Sequence, residues 1–195
     1  MLFFVMLALA AMVLFFLCLK YLFRRPAGPK DRLHRTGKIV AVLEGPQGKR
    51  VYETHNIITN DGDIFCAQML AGETPDNAFV NLVLGSGAAP VPAKADDYDD
   101  ITPIGDTNKA PSAGYPKSDD DDADNAADAA ANVTTWKYAY AKTDFSAASI
   151  TEGVITIAAP EAESPVLCHF AFDEAFSKTA NDTLTVFYNA EAEGV

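Results

Sequence analysis

The chain has 195 residues, 15 Lys/Arg against 27 Asp/Glu, a formal net charge of −12 and 49% hydrophobic residues. Residues 1–50 carry nine Lys/Arg and two acids, residues 51–195 six Lys and twenty-five acids, so the body of the chain repels nucleic acid and its basic end suits phospholipid headgroups better than phosphodiesters. Three isolated cysteines, Cys18, Cys66 and Cys168, without CxxC spacing, argue against both a disulfide framework and a zinc site.

Residues 1–19 (MLFFVMLALAAMVLFFLCL) form an unbroken apolar run closed by Lys20, Arg24 and Arg25. At about 1.5 Å per residue, a helix of this length reaches roughly the 30 Å of a bilayer's hydrocarbon core. The basic residues follow the run and Arg24-Arg25-Pro26 stands where a cleavage site would be, so the segment is expected to be retained as a transmembrane-type helix over residues 1–25. Lys20, Arg24 and Arg25 would flank the membrane on the side of the C-terminal domain. The alternative is a helix packed inside an assembly, as in filaments with bundled N-terminal helices. Residues 26–36 read as a basic linker.

Residues 37–44 (GKIVAVLE) and 49–56 (KRVYETHN) are β-branched-rich runs around Gly45-Pro46-Gln47-Gly48, which predicts a hairpin. Asn60 or Asp61 is the expected cap of a helix in which Ile64, Phe65, Met69 and Leu70 recur at helical spacing, with Gly72 as its left-handed stop. Residues 80–84 (VNLVL) predict a strand halted by Gly85-Ser86-Gly87, with an edge free for docking neighbours.

Residues 96–128 hold eleven Asp against Lys109 and Lys117, a composition that predicts a solvated surface loop contributing little to the fold. Calcium is the specific reading for Asp96, Asp97, Asp99 and Asp100 and for Asp119, Asp120, Asp121 and Asp122. Neither run has the alternating ligands, central Gly and distal Glu of an EF-hand, and a hydrated acidic surface is the competing reading. The last third returns to strands at 135–145, 150–158, 166–172 and 183–189, with Trp136, Tyr138 and Tyr140 as the buried face of the first. His169 within LCHFAF reads as a strand residue with a satisfied ring. Seven strands and one short helix predict a mainly β fold, an antiparallel β-sandwich over residues 37–195.

His34, His55 and His169 are scattered. No Ser-His-Asp order, HExxH, P-loop or glycine fingerprint is present, so no catalytic residue and no cofactor is expected, and the chain reads as a non-enzyme without a small-molecule substrate.

The strings HNIITNDGDIFCAQMLAGE (55–73) and VNLVLGSGAAPVPAKADDYDDITPI (80–104) are followed by a strand ending KTDF, then ITEGVITIAAPE (150–161), VLCHFAF and DTLTVFYN. This order resembles small tail, collar and neck-region structural proteins of tailed bacteriophages, over residues 51–190. The resemblance, which omits the N-terminal helix, implies a non-enzymatic virion component; taken with the apolar run, the expectation is a membrane-associated virion protein whose partners would be other virion proteins, copies of itself and a lipid bilayer. The alternative function is a host membrane-anchored β-sandwich, or a pilin-like filament subunit, with an acidic loop for a cation or a basic partner.

Overall fold

The computed structural model describes residues 33–118 and 132–194. The expected apolar helix over 1–25 with Lys20, Arg24 and Arg25, most of the basic linker, and Asp119 to Asp122 lie outside the described residues. Among the described residues no helix is long and apolar enough to cross a membrane.

Among the described residues eight antiparallel strands and one α-helix follow one another: β1 (Leu33–Gly45), β2 (Gly48–Ile58), α1 (Asn60–Ala71), β3 (Asn81–Gly85), a 3-10 turn (Tyr98–Asp100), β4 (Lys117–Ser118), β5 (Val133–Tyr140), β6 (Ala147–Thr156), β7 (Val166–Lys178) and β8 (Thr183–Gly194). The mainly β, antiparallel class with one short helix is as the sequence implies. Where the sequence suggests a sandwich of two sheets, the strands form one continuous sheet in the order β3-β6-β7-β2-β1-β8-β5-β4.

The sheet turns on itself at β2. Lys49 to His55 pair with β1, and Asn56 to Ile58 then pair with Phe170 to Cys168 of β7. One strand thus serves both halves, and the halves close face to face. The Tyr138 hydroxyl of β5 donates to the Val80 carbonyl (3.0 Å) and that of Tyr140 to the Thr107 carbonyl (2.8 Å). Residues near one end of the strand order thereby reach across to the other end. Between them lies the main core, which includes Ile39, Leu43, Tyr138, Phe170, Leu184 and Tyr188. Trp136 stacks on Tyr188, so the aromatic alternation in β5 marks a buried face as expected.

The β5–β6 turn, which contains the KTDF string, is organised by two lysines. Lys109 pairs with Asp144 (2.7 Å), and the buried Lys178 ammonium donates to the carbonyls of Lys142 and Phe145 (3.3 and 2.8 Å) while lying over the Phe145 ring. Burial pulls the Lys178 pKa below the usual lysine range, against the opposing pull of Asp144 and Asp182.

The helix departs from the expected reading in two respects. Its cap is Thr59, whose side chain accepts from the Gly62 amide (3.1 Å) and donates to the Val166 carbonyl. The apolar spacing is right only in part: Phe65 packs against the main core, but Ile64, Met69 and Leu70 are 55%, 53% and 68% exposed, while Gly62 and Cys66 face the sheet. The stop is as predicted, with Gly72 left-handed at φ 73° and its N–H directed at the Gln68 and Met69 carbonyls.

Close approach explains the inward glycine. A Cβ on Gly62 would sit 2.1 Å from the Leu167 carbonyl oxygen, a backbone atom that cannot swing aside. Gly62→Ala should therefore cost about 1–3 kcal/mol through overpacking, although alanine is the better helix former by about 1 kcal/mol. Thermal denaturation checks this, and a neutral or stabilising outcome would show that α1 is not seated on β7 this closely.

Candidate functional site

The outward face of β3, β6 and β7 carries Val83, Val154 and Val166, a second small core completed by Ile101 with Tyr98 packed against it. Both Ile101 and Tyr98 belong to the segment that leaves β3, here termed the strap (residues 86–104). Under it lies a buried polar constellation.

Glu152 interrupts the apolar alternation of β6, and His169 does the same on β7. The pairing of Val154 with His169 sets these residues side by side on the outward face. His169 Nε2 lies 3.2 Å from Glu152 Oε2, and its Nδ1 lies 2.6 Å from Asp96 Oδ2 on the strap. The His169 and Glu152 side chains are each 2% exposed and that of Asp96 12%. The second Glu152 oxygen accepts from the Gly87 amide (2.9 Å) and the Thr102 amide (3.1 Å), so one carboxylate fixes the strap at two points. Asp96 fixes a third, and its carboxylate also accepts from the Ala93 amide (2.6 Å). Gly85 and Gly87 leave room for this: a Cβ on either would lie within 2.6 Å of the Glu152 side chain.

The electrostatics favour a charged ring. Burial pulls the His169 pKa down, but the Glu152 and Asp96 carboxylates at its two nitrogens outweigh burial and hold it above the ordinary histidine value. Burial pushes Glu152 up, and the bonds from His169 and from the Thr102 and Gly87 amides outweigh that and hold it below the ordinary carboxylate value. Only the imidazolium donates from both nitrogens at once, so it satisfies both carboxylates. The satisfied histidine ring expected from LCHFAF is what is found.

Chemically, this is a clasp. A general base needs a nitrogen or oxygen within reach of a substrate proton, whereas both ring nitrogens here face carboxylates under a closed strap. A shallow groove of about 230 Å³ where β2 and β7 diverge is lined by Val51, Tyr52, Glu53, Phe172, Asp173 and Glu174, with none of the clasp residues in its lining.

The aspartates singled out for calcium are placed otherwise. Asp96 belongs to the clasp, the Asp97 side chain caps the 3-10 turn by accepting from the Asp99 amide (2.8 Å), and Asp100 accepts from the Asp97 amide (2.9 Å). Asp99 is exposed. Among the described residues no group of three or more His, Cys, Asp or Glu is placed to hold a metal ion.

No protein-family model, curated protein or solved structure matches the chain. The clasp thus stands on its own geometry.

The described part of the acidic stretch is more structured than its composition implies. The Leu82 amide donates to the Lys109 carbonyl and the Lys109 amide to the Leu82 carbonyl (both 2.9 Å), the Ile104 amide donates to the Leu84 carbonyl and the Ser86 amide to the Thr102 carbonyl. Thr107, fully buried, accepts from the Leu84 amide and donates to the Ile104 carbonyl. Residues 102–109 therefore cover the outer edge of β3. This corrects two expectations: β3 is not an open docking edge, and this part of the loop is hydrogen-bonded into the fold rather than lying free in solvent.

Sequence reasoning missed Asp96 and Glu152 as partners of His169, since the two stand 73 and 17 residues from it. The available signal was the pair of ionisable residues inside otherwise apolar strand runs, ITEGVIT and LCHFAF.

Proposed function

We propose that the chain is a structural component of a bacteriophage-like virus particle, non-enzymatic, acting in particle assembly or attachment. Its β-domain packs against copies of itself and neighbouring virion proteins. Its N-terminal apolar run is held in a lipid bilayer or within the assembly, which makes the localisation virion and membrane-associated.

The observation that carries this reading is the use made of the chemistry-bearing residues. Glu152, His169 and Asp96 are closed off under the strap and hold backbone, and three of the strings in the phage-like order supply them: VNLVLGSGAAPVPAKADDYDDITPI, ITEGVITIAAPE and VLCHFAF. Side chains committed in this way build a rigid part; they do not turn over a substrate. The apolar run of 19 residues followed by Lys20, Arg24 and Arg25 supports the membrane part of the proposal.

Mass spectrometry of gradient-purified particles from a culture that makes the chain should find it in the particle peak in many copies. Recovery in the host membrane fraction with particles free of it would overturn the virion assignment in favour of a host membrane-anchored module.

A further inference from the structure

We infer that the strap over residues 86–104 is proton-gated, held down while His169 carries a proton on both ring nitrogens and loosened once one of them leaves. Its anchors converge on that ring: Asp96 directly through Nδ1, and the Gly87 and Thr102 amides through Glu152, which accepts from Nε2. With one proton gone, a buried carboxylate faces a bare ring nitrogen, donor-less and unscreened, an arrangement that costs free energy until the strap moves and water enters.

The surrounding charges leave the gate to these three groups. From β6 the ring meets Glu152 and from the strap Asp96, the two groups that act on it most strongly. Elsewhere on the strap, Asp97 and Asp100 are engaged in the 3-10 turn, Asp99 is exposed and Lys94 pairs with Asp63 of α1 at 2.5 Å. His55, Glu53 and Asp173 line a second groove with Lys38. The neighbouring Cys168 is in the main core.

The sign follows from the two shifts. His169 sits above its ordinary value, so its contribution is complete below about pH 6.5 and is lost as pH rises through its folded value. Glu152 sits below its ordinary value, so its contribution is complete above about pH 4.3 and is lost as pH falls through its folded value. The strap is fully held between these limits. What opening uncovers is the apolar face of Val83, Val154 and Val166.

Hydrogen–deuterium exchange of the full-length chain in detergent tests this, at pH 6, 7, 8 and 9 with rates normalised to the intrinsic chemistry. Protection of the Gly87 and Thr102 amides should fall by up to about tenfold per pH unit from about pH 6.5 up to the folded His169 value, the limit for one linked proton, and level off above it, while amides of β1 and β8 keep theirs. Asp96→Asn, at the rim of the clasp, removes one of the two carboxylates that favour the imidazolium and should move the midpoint to lower pH without unfolding the sheet. Strap protection that stays flat from pH 6 to 9, or a midpoint unmoved in Asp96→Asn, overturns the gate.

Discussion

Glu152→Ala should be among the most damaging single substitutions in this domain, destabilising it by about 3–5 kcal/mol, the usual cost of removing one partner from a buried ionic pair. Three separate losses contribute. The Gly87 and Thr102 amides lose their acceptor, the His169 ring loses the carboxylate at Nε2, and the outward core of Val83, Val154 and Val166 loses the strap that covers it. Glu152→Gln retains an acceptor oxygen for the two amides and should fall between the parent and alanine. Chemical denaturation of the full chain at pH 6, where the clasp is complete, checks both. A loss under about 1 kcal/mol for alanine would mean that the strap is held by its apolar contacts and backbone pairing alone.

Exchanging residues 101–109 for a Gly/Ser linker of equal length should lower the melting temperature by about 10 °C or more. The exchange removes the buried Ile101 side chain, the Thr107 hydroxyl that serves β3, and the Lys109 ammonium that pairs with Asp144. Together these come to several kcal/mol, and each kcal/mol moves the midpoint roughly 2–4 °C in a chain of this size. Asp99→Asn, on the exposed side of the 3-10 turn, should change stability by no more than about 0.5 kcal/mol and serves as the control. Equal, small effects from both would return residues 96–109 to the status of a dispensable acidic loop.

Seven of the eight described strands were legible in the sequence because each carries its own signal, whereas the two-residue β4 lies inside the stretch read as an acidic loop. Period-two alternation in β5 and β8, β-branched runs in β1 and β6, and the Gly45-Pro46-Gln47-Gly48 turn are local features, and local backbone preference with one-sided burial is enough to specify a strand. Gly72 ended the helix for the same reason, since a left-handed residue is a property of one position. What only the tertiary structure decided depends on strand order. Whether Ile64 or Gly62 faces the sheet follows from where α1 lands on β7. The destination of Asp96 follows from the route of the strap across β6. Composition identified residues 96–109 as acidic and polar, and so hydrated, yet it cannot register that a few of them, Asp96, Ile101 and Thr107, meet partners contributed by β3, β6 and β7. A clasp assembled from Asp96, Glu152 and His169 has no spacing to read, because the pairing of β6 with β7 and the return of the chain over their outer face bring those three side chains together.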